Sequence, residues 1–520
     1  MRDIKKKMVL PITLISLLFP TQTYPANANN LVESVSISGG SLIPAYSSNE
    51  RDYGVKNCNK KIKTINIISA RVKSQKNIYF LENKIYPIKV GKKSINLKCL
   101  PDAFNLIDYK FNNFKSTNKD LILITEVFGP VVYTSKGYPL WYNLDLGAGY
   151  GFSTLDEKGV VTTLKTNMRV PENGSNNSAL IYKYDIINKK YLEKLIPFEK
   201  VDGEINQPLI DYHGFAEVAD GYYLISYNDT IVNSNFLEKF KNLHVNYSSG
   251  GNGNDNKRAL EICQKDGKVV VREPKIIKIN KTGRVVWSYT IKQSNFNKPT
   301  LEILDEKGSK FRCYLDLNHP NWVSVDKAEE NIIVSLRNHH IASYNIAKKE
   351  LNYTLGYYPP EMINIFNIDK EKHIAIEKDP VNGSCSTHSG SINENNELIL
   401  FDNRCLASET SRAVIYKIDK SGKTATFIKH YYPEKKCTLV SEQSTISCNT
   451  INMGNATHTH FDGVVVNWGE RNGSKEIMSV YDSKDKKIFD LSYNKISDII
   501  YKSYYYKEYY FEVDLFKNIK

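Results

Sequence analysis

The residues best suited to chemistry lie in one short stretch, "DLNHPNWVSVDKAEENIIVSLRNHH", which spans residues 316 to 340. It contains five candidates: His319, Asn321, Arg337, His339 and His340. Imidazoles can exchange protons or attack an electrophile, and a guanidinium presents a planar fork of donors to an anion. The stretch therefore indicates an anion-handling site, with a histidine-bearing surface loop as the simpler alternative.

Two further histidines occupy matching places relative to predicted strands. His213 and His388 each stand ten residues before the next apolar strand begins, and His319 stands thirteen residues before the strand that follows it. We therefore expect all three to begin an innermost strand and to meet at one end of the fold. Arg337 ends the antiparallel strand that follows His319, so it returns to the same end, where Thr457 is a further candidate. A lone histidine is more often a satisfied turn residue, but three at matching positions favour function.

Other polar residues receive structural interpretations. His339 and His340 would point to opposite faces of a strand, so at most one of them faces the predicted site. His458 and His460 would share a face, but with no carboxylates or cysteines nearby we do not predict a metal site. No CxxC or His/Cys spacing indicates structural zinc. Three residues are interpreted as ties between turns: Asp402, Ser411 and Arg412.

The elements that would position these residues form a repeat. Short β-branched and aromatic runs alternate with polar turns, and long helical periodicity is almost absent. An apolar strand, a polar turn and a second strand recur six times, with turns near Gly137, Lys189, Gly283, Lys349, Gly422 and Lys486. Another apolar strand precedes each copy, and in several units a segment that can form an innermost strand precedes that one, so each unit has four strands. Six such units predict a six-bladed β-propeller, whereas a β-sandwich would not explain six copies of one unit.

The longest interval between turns contains the Gly/Asn-rich "YSSGGNGNDNKR". Glycine and asparagine are common where a chain forms irregular connections. We therefore predict a loop insertion in this unit.

The N-terminus predicts export. "MRDIKKKMVLPITLISLLFPTQTYPANANN" has a basic start, an apolar region from Met8 to Pro20 and a small-residue cleavage site at residues 26–28. The apolar run is too short to be a stable membrane anchor, although a retained N-terminal anchor is the alternative. We expect a mature chain that begins near Asn29, has no further membrane span, and is periplasmic or secreted.

All eight cysteines follow the predicted cleavage site. An even number of cysteines in an exported chain predicts disulfides. The two most local pairings are Cys437 with Cys448 and Cys385 with Cys405.

The charge is moderately basic. The signal segment carries four basic residues and one acidic residue, so removing its +3 from the formal +13 leaves +10. The lysines are scattered rather than grouped into a basic tail, which favours solubility and attraction of anionic substrates over nucleic-acid binding.

Several segments resemble bacterial arylsulfotransferases. "LNHPNWVSVDKAEENIIVSLRNHHIASYNI", "THSGSINENNELILFDN" and "MGNATHTHFDGVVVNWGE" resemble the blade motifs of this family, and the similarity covers roughly residues 120 to 495. Upstream, "VSISGGSLIPAYSSNERDYGVKN" resembles a cadherin-like β-sandwich module. The resemblance implies an all-β chain with a signal peptide (1–28), a small β-sandwich (29–110) and a six-bladed propeller (111–520).

The resemblance also implies roles for individual residues. The family's transiently sulfated histidine corresponds to His388, its His-x-Asn pair to His319 and Asn321, its arginine to Arg337, and its first histidine to His213. A late threonine corresponds to Thr457, and Tyr212 could stack on an aryl group. The chain departs from the family where Pro320 and Trp322 flank Asn321, since small or aliphatic residues are more usual there.

The implied reaction transfers a sulfuryl group from a phenolic sulfate ester to an acceptor phenol, with no nucleotide donor, cofactor or metal. Such a transfer resembles phosphoryl transfer, in which positioning and fixed positive donors supply most of the catalysis. His388 would attack sulfur to give an N-sulfohistidine, which the acceptor then resolves in a ping-pong cycle. The acceptor would be deprotonated by His319 or His213. A homodimer is compatible with the sequence.

Two alternatives stay open. A non-catalytic envelope propeller could use the same arginine and histidines to bind a sulfated or other anionic glycan. A quinone-dependent dehydrogenase propeller is the weaker alternative, because the sequence shows no carboxylate cluster suited to calcium.

Overall fold

The computed structural model describes residues 32–47, 50–69, 73–90, 93–106, 109–113, 120–126, 129–144, 151–156, 158–166, 179–239, 244–247, 256–291, 300–306, 310–316, 318–336, 340–357, 371–404, 410–419, 422–433, 454–459, 462–468, 476–493 and 507–512. Nearly all regular structure in these ranges is β-strand, which confirms the predicted all-β class. Within the same ranges, no helix has the length and apolar composition needed to cross a membrane.

The first seven strands form two sheets around one core. They are β1 (Val32–Ile37), β2 (Leu42–Ile43), β3 (Asp52–Val55), β4 (Lys61–Ser69), β5 (Lys73–Phe80), β6 (Ile85–Val90) and β7 (Lys93–Cys99). One sheet has the order β1-β4-β5 and the other β2-β3-β7-β6. Tyr53, Phe80 and Leu97 lie in the cluster that the two sheets share. Two sheets around one core form a β-sandwich; the cadherin-like identity and the boundary at residue 110 stay predictions.

The chain then passes through a 3-10 helix (Asp102–Leu106) and β8 (Tyr109–Asn113) into six four-stranded units, which we number sheets 1 to 6. Sheet 1 begins with β9 (Asp120–Glu126), β10 (Gly129–Thr134) and β11 (Pro139–Tyr142). Sheet 2 contains β12 (Gly151–Leu155), β13 (Val160–Lys165), β14 (Leu180–Asp185) and β15 (Lys190–Leu195). A small hairpin follows, made of β16 (Glu199–Val201) and β17 (Glu204–Asn206).

Sheet 3 carries a folded insertion. Its strands and helices are β18 (Leu209–Val218), β19 (Gly221–Asn233), a 3-10 helix (Ser234–Lys239), β20 (His244–Tyr247), α1 (Asn256–Asp266), β21 (Lys268–Asn280), β22 (Val285–Thr290), β23 (Thr300–Glu306) and β24 (Lys310–Asp316). The four-stranded part is β18-β19-β21-β22, and β24 adds to β21 in parallel. The predicted loop insertion is therefore only partly correct, because α1 begins at Asn256, inside the Gly/Asn-rich stretch.

Sheets 4 to 6 follow the simple pattern of four consecutive antiparallel strands. Sheet 4 contains β25 (Pro320–Val325), β26 (Asn331–Leu336), β27 (Ile341–Asn345) and β28 (Glu350–Leu355). After β29 (Ala375–Glu377), sheet 5 contains β30 (Thr387–Ile392), β31 (Glu397–Asp402), β32 (Arg412–Ile418) and β33 (Thr424–Tyr431). Sheet 6 contains β34 (Asn455–His458), β35 (Val464–Asn467), β36 (Glu476–Tyr481) and β37 (Lys487–Tyr493), and the last strand is β38 (Lys507–Glu512).

The six sheets contact one another in a closed cycle. The first strand of each sheet contacts the first strand of the next, from β12 through β18, β25 and β30 to β34. Sheet 1 is completed by β38, which pairs with β9 and contacts both β12 and β35. Hydrophobic clusters follow the same cycle, one between each adjacent pair of sheets. We interpret this cycle as the six-bladed propeller that the sequence predicts.

Two disulfides join positions that are distant in sequence. Cys58 bonds to Cys99 and Cys263 to Cys313, with sequence separations of 41 and 50 residues. A preference for local pairs could not identify them, because the tertiary fold places the Cα atoms of each pair 5.8 Å apart: Cys58 follows β3 and Cys99 ends β7, while Cys263 lies in a helix and Cys313 in a strand of sheet 3. Cys385 is also disulfide-bonded. Three cysteines lie outside the described residues, so the predicted pairings Cys437–Cys448 and Cys385–Cys405 stay predictions: Cys405, Cys437 and Cys448.

Candidate functional site

Hydrogen-bond register defines equivalent positions in sheets 3 to 6. The first strands of sheets 3 to 5 carry His213, Asn321 and His388 at one equivalent position, which Gly454, directly before β34, occupies in sheet 6. In sheets 4 and 5 this residue is the extra one of a β-bulge, which re-aims a side chain out of the regular alternation. The spacing in the sequence had suggested that His319 shares this position, but in the structure it does not. It lies two residues earlier, directly before β25, with φ of 40°.

Two histidines of the site are each held by a buried carboxylate. Nδ1 of His213 lies 2.5 Å from Asp211 Oδ1, which also accepts the His213 backbone N–H at 2.6 Å. Nδ1 of His319 lies 2.7 Å from Asp316 Oδ2, while Oδ1 accepts the His319 backbone N–H at 2.9 Å. The two imidazole rings meet edge-to-face with centroids 5.3 Å apart. The structure therefore brings His213 and His319 together and adds an aspartate to each.

Both aspartates are charged in the folded protein. Burial by itself raises the pKa of Asp211, but the adjacent His213 and the more distant His319 lower it to about 2. Burial likewise raises the pKa of Asp316, and His319 together with Arg272 holds that pKa below its usual value. Sequence reasoning missed both aspartates. Their spacing of two and three residues before a histidine was the available signal.

Aromatic and basic groups surround the two carboxylates. Tyr227 donates its hydroxyl hydrogen to Asp211 Oδ2 at 2.9 Å. The Arg272 guanidinium lies 5.2 Å from the ring centroids of both Tyr227 and Tyr314. It also donates two hydrogen bonds of 3.1 Å to Asp229. The two carboxylates therefore lie among packed side chains, and the nearby Arg272 is already paired with Asp229.

His388 has a different partner. Its Nδ1 lies 2.9 Å from Asn403 Oδ1, and both side chains are buried. An amide oxygen only accepts hydrogen bonds, so Nδ1 carries a hydrogen, and in the neutral imidazole Nε2 is then the nitrogen with the lone pair. Asn403 ends the "FDN" segment, in which sequence reasoning gave it no role. A neutral imidazole with a defined reactive nitrogen is the arrangement that a nucleophile requires.

A buried network fixes the backbone around Asn403. Asp402 accepts the backbone N–H groups of Cys385 and Arg404 at 2.9 and 3.1 Å. Its other oxygen binds Arg412 Nε at 2.9 Å, and Arg412 donates two further bonds to Asp379 at 2.8 and 3.0 Å. Ser411 Oγ donates to the Asn403 carbonyl at 3.0 Å. These contacts agree with the interpretation of Asp402, Ser411 and Arg412 as ties between turns.

Asn321 links sheet 4 to the strand that bears His388. Its Nδ2 donates to the Thr387 carbonyl at 3.3 Å, and Ser335 Oγ donates to the same carbonyl at 2.9 Å. Oδ1 of Asn321 is buried and has no hydrogen-bond partner within the described ranges. Because a buried amide oxygen is costly to leave unpaired, this atom is suited to accept a hydrogen bond from a substrate or water.

Several other predicted residues are placed less directly. Thr457 pairs with Val465 in sheet 6, three residues beyond Gly454 in register. Tyr212 precedes His213 in β18. Arg337 and His339 lie outside the described residues.

Three other histidines of the described residues have structural surroundings. His340 is fully buried directly before β27. His373 Nδ1 lies 3.0 Å from Thr354 Oγ1, and His458 Nε2 lies 3.3 Å from the Glu397 carbonyl. Burial lowers the pKa of both His373 and His458. In the ranges that the structure describes, no group of three or more His, Cys, Asp or Glu is placed to hold a metal ion, and His460 lies outside those ranges.

Comparison with solved structures includes two distant matches. A Bacteroides fragilis protein provisionally described as a 6-phosphogluconolactonase matches with a TM-score of 0.34 and 11% identity, over 73% of this chain and 97% of that one. A chain of a mitotic checkpoint complex matches with a TM-score of 0.28 and 9% identity, over 93% of this chain and 99% of that one. At these scores neither match supports a functional argument. No curated protein matches the chain.

The family comparison is specific. A model of the family described as Arylsulfotransferase (ASST) matches residues 204–505, which is more than half of the 520 residues. The matched region begins before His213 and includes His319 and His388. This protein belongs to the arylsulfotransferase family, which makes it a transferase that acts on small molecules.

Proposed function

We propose that the protein is an aryl-sulfate sulfotransferase that uses no nucleotide sulfate donor and forms an N-sulfohistidine at His388. The observation that carries the proposal is that the groups bonded to Nδ1 of the three histidines differ in charge. A neutral amide holds His388, whereas charged carboxylates hold His213 and His319. A nucleophilic imidazole must be neutral, and an acid or anion-binding imidazole must keep a second proton. The two kinds of partner match these two needs.

The transfer is written as two half-reactions. In the first, His388 Nε2 attacks the sulfur of the aryl sulfate, an N–S bond forms, and the sulfur–aryl oxygen bond breaks. The departing phenolate takes a proton from the imidazolium of His213 or His319. In the second, the acceptor phenol gives a proton to that imidazole and its oxygen attacks sulfur. The N–S bond then breaks, and its electron pair returns to Nε2.

Other predicted residues complete this proposal. Arg337 would hold the sulfuryl oxygens with its planar fork of donors. Asn321 would accept a hydrogen bond through Oδ1, and Thr457 and Tyr212 would contact the substrate.

The proposed location is outside the cytoplasm. Disulfides persist in oxidising compartments, and Cys58–Cys99 and Cys263–Cys313 indicate a non-cytoplasmic protein. The signal peptide and a periplasmic or secreted location are part of the proposal.

A labelling experiment tests the function. Incubation of the wild-type protein with 4-nitrophenyl sulfate alone should leave one sulfuryl group on the peptide "SCSTHSGS" and release 4-nitrophenol. His388→Asn should abolish both. His373→Asn, which changes a histidine outside the site, is the matched control and should label normally. A propeller that only binds anionic glycans would give no adduct and no phenol, and that result would refute the proposal.

A further inference from the structure

The two Asp–His contacts place two carboxylates in the interior of the protein. Asp211 and Asp316 are 0% and 4% exposed. Within the described part of the chain, Arg272 is the cation that acts on Asp316, and it is already bonded to Asp229. Because isolated buried charges are costly, the two carboxylates are best balanced by protons on the imidazoles that they hold.

Two separate elements deliver the aspartates to one place. Asp211 lies in β18, the first strand of sheet 3. Asp316 is the last residue of β24, the final strand of the insertion. β24 pairs in parallel with β21 and is tied to α1 by the Cys263–Cys313 disulfide. The insertion therefore ends at the carboxylate that holds His319.

We propose that Asp211 and Asp316 are positioning residues of the transfer reaction. Each holds the Nδ1–H of its histidine, so that Nε2 of His213 or His319 exchanges protons with the phenolic oxygens. The negative charge of each carboxylate keeps its imidazole protonated to higher pH than an amide would. This inference rests on the proposed sulfuryl transfer and assigns residues beyond those that the family motifs identify.

Several charged and titratable groups of the described elements lie near the two rings. They are Asp211, Tyr227, Asp229, Arg272, Tyr314 and Asp316. Tyr227 keeps its proton, because burial raises its pKa well above the usual value. The two aspartates are therefore the groups whose substitution changes the charge at the imidazoles, and the Asp211 change also affects the oxygen that accepts the Tyr227 hydroxyl.

Asp316→Asn is the central test. The amide oxygen can still accept the His319 backbone N–H, which preserves the turn before β25, while the charge is lost and a donor nitrogen faces His319 Nδ1 in place of the acceptor oxygen. A neighbouring opposite charge commonly moves a titration by about 1 to 3 pH units. We expect the basic limb of the pH profile of kcat to move to lower pH by that amount. We also expect at least a tenfold loss with phenyl sulfate at neutral pH, in line with the contribution of a general acid.

The choice of leaving group separates a positioning role from a structural one. 4-Nitrophenolate is a good leaving group and needs little protonation, whereas phenolate needs more. Asp316→Asn should therefore lose more activity with phenyl sulfate than with 4-nitrophenyl sulfate. Labelling of His388 by 4-nitrophenyl sulfate should persist in the variant. A structural defect would reduce the activity with both substrates equally and leave the pH profile of kcat unchanged.

Two further variants complete the design. Asp211→Asn should also move the basic limb of the pH profile of kcat to lower pH. This variant serves as the test if Asp316→Asn does not fold. Asp326→Asn is the matched control, because Asp326 only accepts bonds from Glu330 and Asn331 in the β25–β26 turn. If the wild type labels at His388 but the Asp211 and Asp316 variants keep its pH profile and substrate ratio, the inference is wrong and the proposed function stands. If the wild type does not label, the proposed function itself fails.

Discussion

Asn403→Asp is the most direct test of why an amide, and not a carboxylate, holds His388. The substitution is nearly isosteric and places a negative charge where Asn403 Oδ1 now lies, 2.9 Å from His388 Nδ1. A carboxylate at this distance favours the imidazolium, which cannot attack sulfur. We therefore expect a loss of reactivity that depends on pH.

The magnitude follows from the geometry. With the two charges about 4 Å apart and an effective dielectric constant of about 20, Coulomb's law gives roughly 4 kcal/mol. At about 1.4 kcal/mol per pH unit, this is an upper bound of about 3 units, and the cost of burying the new carboxylate reduces it. We expect the acidic limb of His388 sulfation to move up by about 1 to 3 pH units, which from an ordinary histidine pKa of about 6.5 gives a loss of roughly 3- to 200-fold at neutral pH.

Single-turnover labelling with 4-nitrophenyl sulfate across pH measures this effect. Asn403→Leu is the control, because it removes the acceptor without adding charge. It should slow labelling about tenfold at every pH, which corresponds to the loss of one neutral hydrogen bond. Recovery of the Asn403→Asp rate at high pH would support the reasoning. A loss that is the same at every pH, or a profile that moves to lower pH, would refute it.

Two further predictions concern stability. Arg412→Met should lower the free energy of unfolding by about 3 to 5 kcal/mol, because it leaves Asp379 and Asp402 buried without their shared cation. Denaturant unfolding would measure this loss. As a control, Lys429→Ala removes a partly exposed ion pair with Asp485 and should cost less than about 1 kcal/mol. The pKa of Asp211 is about 2 in the folded protein and lies below its unfolded value, so its contribution to stability is complete above pH of about 4 and is lost as the pH falls towards 2. Urea unfolding between pH 5 and 2 should show a decline of about 2 kcal/mol from this residue, and an equally steep decline in Asp211→Asn would contradict the assignment.

Much of the fold could be predicted from local patterns. Alternation of apolar and polar residues between turn residues identifies strands, because side chains of a strand point alternately to its two faces. Six similar four-strand patterns predict six similar sheets. The insertion was harder to predict, since the Gly/Asn-rich run only connects β20 to α1 and does not reveal the strands on either side. Closure by β38 was also not predicted, because its partner β9 lies almost 400 residues earlier in the chain.

The sequence by itself determined the chemical types of His213, Asn321 and His388, the repeat positions of His213 and His388, and the family motifs that contain them. Only the tertiary structure decided what holds each imidazole. Asn403 reaches His388 across the register of β30 and β31, and Asp316 reaches His319 at the end of a strand from the insertion. The sequence pattern records which face of a strand a residue occupies. The protonation state of a histidine depends on the charge of the atom a few ångströms from its ring, and strand register and the bulges at Asn321 and His388 place that atom.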